Sequence, residues 1–178
     1  HAISDLHFAT ARLGSQRLAG GAYAWKALLD SGAHVVAGSD APVEKGDPLV
    51  EFYAATYRHD LSGFAGSDWH LEEAVTRTEA LRMFTTAPAF ASFTENERGT
   101  IEVGKRANVT AFSVDLMTAE PSAIPTAQAK LTVSIWLARR PGTATTLPAV
   151  ISLPARRTPC PGTAAGSLGP CARGGRAR

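Results

Sequence analysis

Cysteine is nearly absent from this 178-residue chain: Cys160 and Cys171 form no CxxC pair and have no histidine nearby. Neither a disulfide framework nor a zinc site is expected there. Histidine is sparse too. His1, His7, His34, His59 and His70 form no HxH, HExxH or HxxxH pair, so the chain carries no self-sufficient zinc motif. There is no GxSxG for a serine hydrolase, and no phosphate loop surrounds Gly20-Gly21. No apolar run approaches the roughly 18 residues of a membrane helix, so no membrane partner is expected. No internal repeat is present. Residue 1 is His, so the lack of a leader here carries no information on location; a cytoplasmic protein is the working expectation.

Acid is missing from the last 41 residues. All 16 Asp and Glu lie in residues 1–137, and the formal charge of +2 averages an acidic body and a basic tail. The tail, 138–178, holds Arg, Pro and Gly and no aromatic residue. Such a composition cannot bury enough apolar surface to offset its ordering entropy, so disorder is expected. Without interleaved aromatics, a nucleic-acid role would rest on arginine charge alone, and no nucleic-acid partner is expected.

The body is ordinary globular sequence, 44% hydrophobic over the whole chain. Residues 22–31 read as a helix with Trp25, Leu28 and Leu29 on one face, stopped by Gly32. The apolar run at 34–37 follows, ending in Gly38-Ser39-Asp40. A helix, a glycine stop, a buried strand and a polar strand end make one step of an α/β fold. Asp47-Pro48 opens another helix, with Leu49, Phe52, Tyr53 and Thr56 facing inward. Residues 71–85 have the clearest helical period: Leu71, Ala74, Val75, Thr78 and Leu81 share a face. A short helix is expected over 88–93. After Gly99 the pattern turns to β: alternation at 100–104, then strands over 108–114 and 129–136.

In parallel α/β proteins the residues just past a strand's C-terminal end line the active-site mouth. Asp40 would sit there, where a carboxylate can bind a metal ion or take a proton from a metal-bound water. Local sequence alone favours a plain turn residue in Ser39-Asp40-Ala41-Pro42. His1 precedes Ala2-Ile3-Ser4-Asp5, a segment that could turn polar residues toward a site; an ordinary histidine is the simpler reading. Arg58, at the end of the Pro48 helix, could bind an anionic substrate group or cap the helix electrostatically.

Five segments, in order, resemble the amidohydrolase superfamily, specifically its YtcJ-like group. They are His1-Ala2-Ile3-Ser4-Asp5-Leu6; Gly21-Ala22-Tyr23-Ala24-Trp25-Lys26; Gly38-Ser39-Asp40-Ala41-Pro42-Val43-Glu44 with Asp47-Pro48-Leu49; Leu71-Glu72-Glu73-Ala74 with Thr78-Glu79-Ala80-Leu81; and Gly99 through Thr110. The likeness covers residues 1 to about 133.

The resemblance implies the C-terminal portion of a TIM-like (β/α)8 hydrolase barrel over 1–98, part of an appended β-sandwich over 99–137, and the tail at 138–178. It implies hydrolysis of a non-peptide amide-type C–N bond in a small-molecule substrate by metal-activated water. A divalent metal, usually zinc, is the implied cofactor. Asp40 matches the eighth-strand Asp, a metal-site residue and general base; His1 matches the histidine that begins the seventh-strand motif and is placed beside the substrate. The family's HxH, bridging residue and two later histidines match nothing here, so this chain alone is expected to bind no metal and to be inactive. The other reading is a non-catalytic binding or assembly module derived from the barrel. Exposed strand edges would favour self-association into a homo-oligomer.

Overall fold

A computed structural model describes residues 1–66 and 69–134. The expectations of a disordered tail, and of strand beyond residue 134, lie outside the described residues. Six short α-helices come first: α1 (Ala9–Leu13), α2 (Ser15–Ala19), α3 (Trp25–Asp30), α4 (Pro48–Tyr57), α5 (Arg77–Phe84) and α6 (Thr86–Ala91). Two strands follow, β1 (Val109–Phe112) and β2 (Ala129–Val133). Single 3-10 turns occur at Asp5–His7, Leu71–Glu73 and Pro121–Ala123.

α4 forms where expected, for the expected reason. Asp47 caps it, its carboxylate accepting from the Leu49 N–H at 3.0 Å, and Pro48 occupies the first turn. Its buried face is Leu49, Phe52, Tyr53, Ala54 and Ala55. Thr56, expected inward, is half-buried and returns its hydroxyl to the Phe52 carbonyl at 2.9 Å.

The long helix expected over 71–85 is two elements. Leu71–Glu73 is one 3-10 turn, Ala74 is extended, and α5 restarts after Thr76. The restart is a capping box. Glu79 N–H donates to Thr76 Oγ1 at 3.2 Å, and Thr76 N–H donates to Glu79 Oε2 at 2.7 Å. The break lets Val75 pair its N–H with the Ala55 carbonyl at 3.0 Å and bury its side chain against α4.

The main core joins α4 to α5 through Phe52, Tyr53, Ala55, Val75, Ala80, Met83 and Ile124. A second cluster gathers Ala2, Leu6, Ala9, Leu18 and Trp69. Arg77 ties α5 to the chain beyond it, donating to the Leu116 carbonyl at 3.1 Å and also to the Ala119 carbonyl and Tyr57 hydroxyl.

The strand expected at 34–37 is not a paired strand. It runs without sheet partners, its Ala37 N–H reaching the Met83 carbonyl at the end of α5 at 3.1 Å, and Val36 stays exposed. A strand, unlike a helix, cannot satisfy its own backbone groups and needs a neighbour. β1 and β2 do pair, antiparallel, with Val109 opposite Val133 and an irregularity at Ala111/Phe112. The alternation at 100–104 resolves into turns. Among the described residues this two-stranded sheet is the whole β structure, so they form neither a barrel nor a sandwich; the fold is mixed helix and strand. No described helix is long and apolar enough to cross a membrane.

Candidate functional site

The segment after residue 37 ends in a tight turn. Asp40 sits in the left-handed region at φ +56°, a conformation a short polar side chain tolerates, and its carbonyl accepts from Val43 N–H at 3.0 Å. Ser39 Oγ accepts from Ala41 N–H at 3.2 Å. This turn brings Asp40 and Glu44 to one side.

His1 reaches that side from a turn of its own, closed by Asp5 N–H on the His1 carbonyl at 2.8 Å. Its Nε2 lies 2.8 Å from Asp40 Oδ2 and its Nδ1 lies 3.2 Å from Glu44 Oε1. Ser4 Oγ donates to the same Glu44 oxygen at 2.5 Å. The imidazole therefore spans the turn, with a carboxylate on each nitrogen. The Asp40 side chain remains 67% exposed, against 35% for His1, so it is held in place yet open to a ligand.

Beside this cluster lies a cavity of about 630 Å³, within the size range of small-molecule sites. His1, Ser39, Glu44 and Glu51 give it a polar side, and Trp25 and Phe84 an apolar one. Asp40 is outside the lining and is joined to it through its bond to His1. Tyr23, also in the lining, donates its hydroxyl to Asp5. Burial, then that bond and the Asp5 charge, push the phenol up to about 12, so it stays a donor. Glu51 projects from the first turns of α4. Burial raises its carboxyl above the ordinary range, and its Oε1 is buried without a hydrogen-bond partner.

The structure thus brings two of the three expected residues together. The third, Arg58, is elsewhere. It ends α4 in the left-handed conformation and is 1% exposed. Its guanidinium donates to the Tyr23 carbonyl at 2.9 Å and the Trp69 carbonyl at 3.3 Å, and lies over the rings of Trp25 and Trp69. Enclosed by two indoles and two carbonyls, it is buried in the fold rather than joined to His1 and Asp40. Sequence reading missed Glu44, Glu51, Tyr23 and Trp25. Glu44 stood in the quoted motif, four residues from Asp40, and the turn between them was the available signal. Nothing local marked Glu51, a first-turn glutamate like many that face solvent.

A catalytic zinc takes about three protein ligands. Among the described residues no three His, Cys, Asp or Glu side chains converge on a point that could hold a metal ion. His1 and Asp40 face each other rather than a shared third point. The residues present therefore do not fit a metal by themselves.

A turn-borne carboxylate is thus held by a histidine that lines a cavity of small-molecule size. The profile of the amidohydrolase family matches residues 1–134, and the chain belongs to that family. Among its relatives, YtcJ of Bacillus subtilis (strain 168), an amidohydrolase by name, is 32% identical over 130 residues, covering 73% of this chain and 24% of YtcJ. The N-substituted formamide deformylase of Arthrobacter pascens is 40% identical over 90 residues, covering 51% of this chain and 16% of that enzyme. The Arabidopsis thaliana protein LONG AFTER FAR-RED 3 is 29% identical over 115 residues, covering 65% and 19% respectively. The chain thus spans a quarter or less of the length of these relatives. No solved structure matches it.

Proposed function

We propose that this chain forms one wall of the active site of an amidohydrolase that cleaves a non-peptide, amide-type C–N bond in a small molecule with water. One observation carries the reading: Asp40, open to solvent, is held at 2.8 Å by His1, which lines a cavity of about 630 Å³. Asp40 is the general base. It accepts a proton from the attacking water and returns it to the departing nitrogen, so that bond cleavage releases a neutral amine. His1 fixes the carboxylate's direction. Residues 1–98 belong to a TIM-like barrel and 99–137 to an appended β-sandwich; both take their remaining strands from sequence beyond this chain. Asp40 would also belong to the site of the zinc-type metal that the family resemblance implies, whose other donors are residues other than these.

Support comes from the family match and from two relatives whose names specify amide or formamide hydrolysis. The test has two arms. The purified chain, assayed with N-substituted formamides and simple amides in the presence of zinc, should show no turnover; substantial turnover would contradict a site completed from elsewhere. Residues 1–134 should also be grafted in place of the matching segment of the Arthrobacter deformylase. The graft should hydrolyse its formamide, and Asp40→Asn in the graft should lower kcat by roughly 10²–10⁴-fold, the range of a lost acid–base group. Full activity in that variant would remove Asp40 from the mechanism.

A further inference from the structure

Asp40 is held by His1, and His1 must itself be held. Glu44 reaches its Nδ1 at 3.2 Å, but that Glu44 oxygen also serves Ser4. Asp5 meets His1 twice. Its N–H donates to the His1 carbonyl at 2.8 Å, and its Oδ2 lies 3.7 Å from Nδ1, too far for a hydrogen bond but within electrostatic reach of the ring. The same Oδ2 accepts the Tyr23 hydroxyl, so the direction of the Asp5 carboxylate depends on Tyr23.

Tyr23 stands in an unusual backbone state. Its φ is +54°, in the left-handed region that a bulky side chain rarely adopts. Such a conformation persists only where the surroundings over-determine it, and strain of this kind gathers at functional sites. Here the Tyr23 carbonyl is fixed from two sides. Trp25 N–H closes a tight turn on it at 2.9 Å, and the buried Arg58 donates to it at 2.9 Å. The ring rests against Trp69, with centroids 5.2 Å apart. With carbonyl and ring both held, the hydroxyl is aimed at Asp5. We propose that Tyr23 is a positioning residue of this site: through Asp5 it fixes the His1 imidazole that holds Asp40. The inference deepens the hydrolase reading, on which it rests for the role of Asp40, but the state of the His1 ring tests it without turnover.

The 178-residue chain, carrying 15N in its histidines, should be followed by NMR of the ring N–H groups, the His1 signals being identified by their loss in His1→Gln. Tyr23→Phe removes the hydroxyl and keeps the ring against Trp69; Asp5→Ala removes the carboxylate and keeps the N–H that closes the turn. In each variant the His1 ring N–H should exchange with water at least about fivefold faster, the scale of one lost hydrogen bond. The two changes together should do no more than Asp5→Ala alone, because Tyr23 acts through Asp5. Tyr53→Phe, which deletes a hydroxyl donated to the Asp60 carbonyl, should leave His1 as in the parent, and so separates positioning from general loosening. Parent-like exchange at His1 in Asp5→Ala overturns the proposal whether or not Tyr23→Phe folds. So does parent-like exchange in Tyr23→Phe, an equal rise in Tyr53→Phe, or a Tyr23→Phe effect that persists undiminished when Asp5 is already alanine. Each of these results leaves the assignment of Asp40 untouched. Conversely, full activity of the Asp40→Asn graft would sink the Asp40 mechanism and spare the link from Tyr23 to His1.

Discussion

Replacing Arg58 separates a structural arginine from a substrate-binding one. The guanidinium is 1% exposed, donates to two backbone carbonyls and lies 5.3 and 5.4 Å from the ring centres of Trp25 and Trp69. Each hydrogen bond from a charged donor contributes about 1.5–3 kcal/mol, and each desolvated cation–π contact about 1–2 kcal/mol. Against these stands desolvation, which also lowers the Arg58 pKa, with Glu73 and Glu72 acting the other way. Its Nε finds no partner, so the offset is real. The net cost of Arg58→Ala is therefore about 3–5 kcal/mol, typical of breaking a buried charged network. Arg58→Lys keeps the charge but cannot reach both carbonyls at once and should cost about 2 kcal/mol. Urea unfolding followed by tryptophan fluorescence reads both, since Trp25 and Trp69 flank the site. A loss below about 1 kcal/mol for Arg58→Ala would refute the reasoning. So would unchanged stability combined with weakened binding of an anionic ligand in the adjacent cavity.

Four further outcomes follow from local geometry. Hydrogen bonds from Ser62 first, then Phe64 and His7, hold the Asp60 carboxyl at about 2, below its ordinary 3.8. Its stabilisation, about 1–2 kcal/mol after allowance for partial exposure, is present in full above the unfolded value and lost as pH falls through about 2. The stability gap to Asp60→Asn, measured in urea, should therefore shrink by about half between pH 6 and pH 3; a gap constant with pH would be incompatible with this. Thr76→Ala removes the capping box and should lower stability by about 1 kcal/mol, measured by thermal melting. Gly99 has φ +100°, and a Cβ there would meet Ala89 Cβ at 2.8 Å; Gly99→Ala should cost about 2 kcal/mol or more by the same assay. In hydrogen exchange, amides at 34–36 should exchange far faster than those in the buried part of α4; equal protection would mean that the segment has a sheet partner.

What could be read from the sequence divides along the reach of its interactions. α4 was legible because its cap, its proline and its apolar stripe all lie within eleven residues. The break before α5 was legible in principle, since Thr76-Arg77-Thr78-Glu79 spells a capping box. The run Leu71, Ala74, Val75 hid it by continuing the helical period, and Val75 is apolar because it packs on α4 rather than because it continues a helix. Asp40 was legible as the end of an apolar run. Its partner His1 stands 39 residues away, and nothing local marks that contact. The burial of Arg58 was not legible, because a helix-end arginine looks alike whether it faces solvent or sits beneath two indoles. The deciding residues, Trp25 and Trp69, lie 33 residues before it and 11 after.

The helices and the strands of this chain stand differently toward their surroundings. α4 and α5 close their backbone bonds internally, so they need only each other's apolar faces to form a core, and they do so within these residues. The run at 34–37 carries the apolar sequence of a buried strand, yet Val36 is exposed and the segment lacks a sheet neighbour. Apolar β-rich sequence without a ladder leaves both side chains and backbone groups unmatched. Soon after this unmatched segment comes Asp40. The turn, held by His1 and Glu44, keeps its geometry through side-chain contacts and does not depend on the missing ladder. That independence explains how the turn keeps its shape beside a segment that has no ladder. It also implies that pairing the 34–37 segment with neighbouring strands would rigidify the floor of the cavity without having to rebuild the cluster at its mouth.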